Sequence, residues 1–228
     1  MMSRQYFSHA NVLKYENGLC NICICVCTPE TKEAEGSHEG MNYANIKEFD
    51  IADGPGVRVS LFVSGCRHHC KGCFNAMTWD FNYGEPFDDS IADRIIEALK
   101  PDFIQGFTLL GGEPFEPENQ AVLAGLLKRI RSTYPKKDIW CYTGYTYDVD
   151  LVPGGKVYTP YTDEMLACTD CLVDGEFVEA LKDVNLTFRG SSNQRLIGLH
   201  GYEPPKDRKP DHKIKHFDNV NISTRTSM

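Results

Sequence analysis

The chain has 228 residues, with 24 Lys and Arg against 32 Asp and Glu, a formal net charge of −8. That length suits one domain with tails or one domain and a small module, and the acidic balance argues against a protein that grips nucleic-acid phosphates. No stretch approaches the roughly 18 apolar residues that span a bilayer, and no basic segment leads into an apolar one at the start, so a cytosolic protein without a membrane partner is expected.

Ten cysteines in such a compartment point to thiols, metals or clusters rather than disulfides. Residues 1–40 hold Cys20, Cys23, Cys25 and Cys27, then a polar stretch. Cys-x2-Cys is half a zinc site, but the tight Cys-x-Cys-x-Cys continuation departs from zinc-finger spacing. The segment therefore reads equally as a small metal-binding tail and as a disordered or wrongly initiated extension. From Met41 the pattern becomes regular. Residues 43–49 suit a first strand, and Asp53-Gly54-Pro55-Gly56 is dense turn chemistry. Residues 56–65 alternate Val57, Val59, Leu61 and Val63 with Arg58, Ser60, Phe62 and Ser64, a period-two strand. It delivers a loop carrying Cys66, Cys70 and Cys73.

Downstream, Asp88 precedes Ile91, Ile95, Ile96 and Leu99 at helical spacing, which predicts a capped amphipathic helix ending before Pro101. A buried strand over 106–110 runs into Gly111-Gly112-Glu113-Pro114, and 119–132 carries Val122, Leu123, Leu126, Leu127 and Ile130 at helical intervals. Residues 138–144 read as a strand, 162–167 as a short helix and 171–174 as another strand. Cys141, Cys168 and Cys171 sit in apolar surroundings, where a free cysteine packs as a small hydrophobe. Arg189-Gly190-Ser191-Ser192-Asn193-Gln194 reads as the polar end of a further strand. Past Leu196 the periodicity fades, and 197–228, with His200, His212 and His216, reads as a solvated tail. Alternation of strand and helix implies an α/β fold with mostly parallel strands and helices outside. The span 41–196 is too short for an eight-fold barrel of about 250 residues, so a partial, open (β/α) barrel is expected.

The spacing Cys66-x3-Cys70-x2-Cys73 carries the chemistry. Iron-sulfur cubanes normally take four cysteines, so three soft thiolates with no fourth nearby leave one iron open to something other than protein. The competing reading is a structural zinc loop closed by His68 or His69. As loop residues between two of the cysteines, these are poorly spaced to reach the same ion.

Followed by Phe74, this loop resembles the signature of the radical S-adenosylmethionine (radical SAM) superfamily. Asp53-Gly54-Pro55-Gly56-Val57-Arg58, Cys73-Phe74-Asn75 with Thr78-Trp79-Asp80, and Gly111-Gly112-Glu113-Pro114 resemble the glycyl-radical-enzyme activases. Val173-Asp174-Gly175-Glu176-Phe177 and Arg189-Gly190-Ser191-Ser192-Asn193-Gln194 resemble the branch acting on anaerobic ribonucleoside-triphosphate reductase.

The likeness runs over 41–196 and implies a radical SAM domain there. It implies that Cys66, Cys70 and Cys73 hold one 4Fe-4S cluster whose fourth iron is chelated by S-adenosylmethionine. Gly111, Gly112 and Glu113 would hold the methionyl ammonium. Phe74 would lie beside the adenine, with Gly72 and Cys73 allowing close approach. The activity implied is an oxidoreductase that makes a 5'-deoxyadenosyl radical and from it a glycyl radical on the large subunit of the anaerobic reductase, using a reduced donor such as flavodoxin. No side chain is expected to act as a catalytic acid, base or nucleophile; residues 53–56, Arg58, Asn75, Thr78, Trp79 and Asp80 are expected to shape the site. Two alternatives stand beside this: activation of another glycyl radical enzyme such as pyruvate formate-lyase, and a non-catalytic zinc-binding protein. A brown anaerobic preparation against a colourless, zinc-loaded one separates the last from the rest.

Overall fold

A computed structural model of the protein describes residues 40–207. Cys20, Cys23, Cys25 and Cys27, and with them the expected metal-binding or disordered tail, lie outside the described residues, as do His212 and His216. Strand β1 (Asn42–Asp50) turns through residues 53–56 and pairs antiparallel with β2 (Val57–Val63), Asp50 facing Arg58 and Ile46 facing Leu61. A two-residue strand, β3 (Glu85–Pro86), adds to the outer edge of β1. Helix α1 (Asp89–Ala98) begins where Asp88 Oδ1 accepts from the Ile91 amide at 3.1 Å, the N-cap the sequence calls for.

β4 (Ile104–Gly111), α2 (Pro117–Thr133), β5 (Asp138–Tyr142), α3 (Tyr147–Asp150), α4 (Thr162–Cys168), β6 (Cys171–Asp174) and β7 (Arg195–Gly198) follow. The sheet order is β3-β1-β2-β4-β5-β6-β7, with β2, β4, β5 and β6 parallel and the others antiparallel to their inner neighbours.

The strand order of the parallel core explains the open shape. Each crossover advances one position in the same direction, and with right-handed connections this puts all the crossover helices on one face. Side chains alternate accordingly. Val59, Leu61, Phe107, Leu109, Ile139, Cys141 and Leu172 pack beneath the helices with Ile95, Leu123, Leu127 and Ile130, all fully buried. Arg58, Thr108, Trp140, Cys171 and Val173 point to the other face, where no crossover helix covers them. The sheet is not closed: β3 and β7 are its edges. Among the described residues no helix is long and apolar enough to cross a membrane.

Two sequence expectations change. Residues 189–194 do not end a strand; they precede β7 and make only one isolated bridge, Lys182 with Ser191. Gln194 Oε1 accepts from the amides of Gly190 (2.8 Å) and Ser191 (3.1 Å), and this local side-chain turn takes the donors a ladder would use. The sheet also continues past Leu196. β7 runs to Gly198, and Tyr202 beyond it packs edge-to-face with Trp140, 6.2 Å between centroids, and accepts a hydrogen bond from Trp140 Nε1 at 3.2 Å. Four residues of mixed polarity on an edge strand carry too weak an alternation to read in advance.

Candidate active site

The cysteine loop leaves β2 at its C-terminal end, the end at which barrels of parallel strands carry their sites. Its start is fixed by backbone pairing with the segment that follows: the Gly65 amide donates to Thr78 O (2.8 Å) and the Cys66 amide to Trp79 O (3.1 Å). The Gly-Gly-Glu segment at the end of β4 is stitched to the same place, Gly112 N to Val63 O and Glu113 N to Gly65 O, both at 2.7 Å. This is why glycines stand there. Gly111 has φ +111°, and an added Cβ would fall 2.6 Å from Val63 N, while one on Gly112 would fall 2.6 Å from Gly65 O.

Cys66, Cys70, Cys73, Phe74, Gly111, Gly112 and Glu113 all line one cavity of about 410 Å³ on the open face. Gly72 does not; it is exposed and faces Glu179, whose Oε1 lies 3.0 Å from where a Cβ would be. Phe74 is 73% exposed at the cavity mouth. The opposite wall comes from Asp53, Tyr142, Phe177, Phe188, Arg189 and Gln194.

The thiols suit an electron-rich cluster. Burial pushes the Cys66 thiol up to about 12, although the amides of His68 and His69 point toward its sulfur and oppose this. Burial likewise raises Cys70, with Glu176 adding to it and the Phe177 amide opposing. The Asn75 amide donates to Cys73 Sγ at 3.4 Å. Backbone amides thus point at each sulfur, and for Cys66 and Cys70 burial makes the thiolate depend on a bound cation. Among the described residues no group of three Cys, His, Asp or Glu side chains is arranged to hold a metal ion.

Glu113 is the hub behind the loop, 1% exposed. Its carboxylate accepts from Phe115 N (2.9 Å), Thr143 Oγ1 (2.8 Å) and Gly144 N (2.7 Å), tying the end of β4 to the end of β5. His68 Nε2 stands 3.3 Å from it, in ion-pair reach without a well-directed hydrogen bond. Burial lowers the His68 imidazolium, but the Glu113 carboxylate outweighs this and the net shift is upward.

Sequence reasoning passed over Glu116 and Asn119. Glu116 accepts from the Arg67 amide (2.8 Å) and guanidinium (2.5 Å), and Asn119 Nδ2 donates to both Ser64 O and Glu113 O at 3.0 Å. The available signal was a polar face at the start of a helix whose later turns are apolar. Arg58 is the other surprise: fully buried, it donates to Thr108 Oγ1 (2.7 Å), Phe107 O (2.8 Å) and Pro55 O (3.2 Å) and pairs with Asp138 at 2.6 Å.

An open, singly wound α/β sheet with one three-cysteine loop at its strand ends defines a single-cluster iron-sulfur protein, and residues 52–197 match the 4Fe-4S single cluster domain family. Three relatives are each called an anaerobic ribonucleoside-triphosphate reductase-activating protein. The one from Escherichia coli (strain K12) is 44% identical over 156 residues, covering 68% of this chain and 96% of the relative. Its counterpart in Pasteurella multocida is 43% identical over 164 residues, 71% of this chain and all of the relative, and the Enterobacteria phage T4 protein is 38% identical over 157 residues, 68% and 93%. The chain belongs to the family of anaerobic ribonucleoside-triphosphate reductase-activating proteins.

Proposed function

We propose that this enzyme cleaves S-adenosylmethionine reductively and installs a glycyl radical on the large subunit of an anaerobic ribonucleoside-triphosphate reductase. The observation that carries the reading is the shared cavity: three thiols with amides directed at their sulfurs, and a Gly-Gly-Glu strand end stitched to the same loop. Cys66, Cys70 and Cys73 would hold the 4Fe-4S cluster, which, once reduced by the donor, would supply the electron for reductive cleavage of S-adenosylmethionine and so for the radical made on the partner's glycine.

The chain's own residues bind and orient. Gly111 and Gly112 end β4 with backbone carbonyls for the methionyl ammonium, and Glu113 adds negative charge, its carboxylate held in place by Thr143 and Gly144. Phe74, with Cys73, offers the adenine an apolar face at the mouth. Leu110, Tyr142 and Phe188 give the cavity apolar surface that limits water around the reacting groups, with Trp140 packed behind Phe188. The enzyme works in the cytoplasm with a reduced donor such as flavodoxin.

The test is anaerobic incubation of the reconstituted protein with dithionite, S-adenosylmethionine and the reductase, followed by electron paramagnetic resonance. A doublet that disappears when the target glycine is changed to Ala is the expected result. A doublet on pyruvate formate-lyase and none on the reductase would move the protein to another branch of the same chemistry.

A further inference from the structure

The connection between β6 and β7 spans residues 175–194. Antiparallel neighbours usually need a loop of about 2–5 residues, and connections beyond about 12–15 are uncommon and generally functional. This one is built rather than slack. The two segments the sequence singled out as branch-like are its two ends, and they clasp each other: Gln194 Nε2 donates to Gly175 O (2.9 Å), Asn193 Nδ2 to Glu176 O (2.8 Å) and the Val178 amide to Ser191 Oγ (3.2 Å).

From that base the loop reaches over to the cysteine loop. Lys71 Nζ pairs with Glu179 Oε2 at 3.1 Å, the rings of Phe74 and Phe177 lie 6.2 Å apart, and Lys182 Nζ sits 4.8 Å from the Phe74 centroid. The tip, a single 3-10 turn at Glu179–Leu181 with its flanks, nevertheless leaves Val178, Leu181 and Val184 in water, Val184 at 87%. Across the mouth, Phe74 and Met77 are also exposed. Val178, Leu181 and Val184 stand outside the cavity lining, so a small ligand inside would leave them wet. An apolar patch beside a site mouth marks a macromolecular contact, and Phe and Met are enriched in such contacts.

We infer that the 175–194 flap is the docking and specificity element for the protein that carries the target glycine, with Leu181 and Val184 as its apolar anchors. This rests on the function proposed above: a glycine on another protein must come to this cavity mouth, and the protein bearing it must then cover the surface bordering that mouth. Because the tip is joined to Lys71 and Phe74, a partner seated on it bears on the loop that holds the thiols.

The test compares the wild-type holoenzyme with L181E/V184E and with F103E, a charge placed on an equally apolar exposed residue that precedes β4 at the opposite end of the strands. All sites are exposed, so folding is not challenged. L181E/V184E should keep its iron and sulfide and cleave S-adenosylmethionine without partner at the wild-type rate. Its Kd for the reductase should rise about tenfold or more, as for anchors at an interface, with the glycyl signal falling in step, while F103E matches wild type. Unchanged reductase binding by L181E/V184E overturns the inference, as does a result in which that variant only dissolves a homodimer, which assigns the face to a second copy. Failure of the wild type itself to bind or activate the reductase instead removes the underlying function and this inference with it.

Discussion

The two faces of the sheet are built from alternate residues of the same strands, yet they have almost nothing else in common. Beneath the helices, Leu61, Phe107, Leu109, Ile139, Cys141 and Leu172 are apolar without exception and fully buried. On the open face the same strands contribute Arg58, Ser60, Thr108, Trp140 and Tyr142, a set that mixes a charge, hydroxyls and aromatic rings. One face can be judged by volume alone; on the other, Arg58 and Thr108 are committed to specific partners and Tyr142 is turned toward the cavity. The consequence is a division of labour: substitutions under the helices should change stability without touching the chemistry, and substitutions around the cavity should do the reverse.

The largest effect belongs to the cysteine loop. Replacing Cys70 by Ala should abolish cluster loading, read as iron and sulfide falling to background, because two thiolates cannot retain a cubane. The melting temperature of the cluster-free protein should scarcely move, since Cys70 is only half-buried and packs in no core. A Cys70→Ala protein that still carried a normal complement of iron would break the division at its strongest point.

Arg58 is where the division should fail, because it is an open-face residue that behaves as core. It is fully buried, its guanidinium lies 5.6 Å from the Trp140 ring, and its carboxylate partner Asp138 is itself mostly buried. Removing one member of such a pair costs about 3–5 kcal/mol, largely from the charge left behind. Arg58→Met should therefore lower the denaturation midpoint sharply, and adding Asp138→Asn should restore part of the loss. Purely additive losses in that cycle would mean the pair is not coupled. On the other face, Leu127→Ala should cost about 2–5 kcal/mol while the iron bound per folded molecule stays at the wild-type value.

How much of this was legible beforehand follows the same line. The helix-covered face announces itself through period two in Val57, Val59, Leu61 and Val63 and through the helical spacing of Leu123, Leu127 and Ile130, so the strands and helices of the parallel core fall where the pattern predicts. The cysteine loop and the glycine pair stand out in the sequence by their spacing, and the fold brings both to one cavity. What the pattern could not carry is long-range pairing of polar groups. Arg58 reads as an outward charge on an alternating strand until Asp138, eighty positions away, is brought beside it. Glu116 and Asn119 likewise read as an ordinary polar first turn, because the loop they hold lies some fifty residues earlier. The flap escaped for a related reason: its strand-like apolar residues, Val184 and Leu186, have no sheet partner, and side-chain turns from Gln194 take over the backbone.

The smallest and subtlest effect concerns the one acidic pair on the open face. Burial raises the Asp53 carboxyl to about 7, helped by the hydrogen bond and charge of Asp50 and opposed by Lys47. Asp50 moves the other way: burial works against it, but its neighbour Asp53 and the Ala52 amide, which donates to its Oδ1 at 3.0 Å, hold it below the usual carboxylate range. The folded pair therefore shares one proton that the unfolded chain has already lost above the ordinary value of 3.8. Between about 4 and 7 the folded state binds more protons than the unfolded state, so Asp53 makes stability fall as pH rises through that window. Asp50 contributes in the opposite sense, its share being present above the ordinary value and lost in stronger acid. Asp53→Asn keeps a donor for Asp50 and has no proton to release, so it should flatten the decline and leave the variant more stable than wild type at pH 8. A gain of about 2 kcal/mol is expected, below the ~4 kcal/mol that three units would give, because the Asp53 side chain is 24% exposed and water screens the second charge. The measurement is thermal unfolding of both proteins at pH 5, 6, 7 and 8. Parallel curves would show that the proton is held elsewhere, and that this corner of the cavity is no more polar in its energetics than the face beneath the helices.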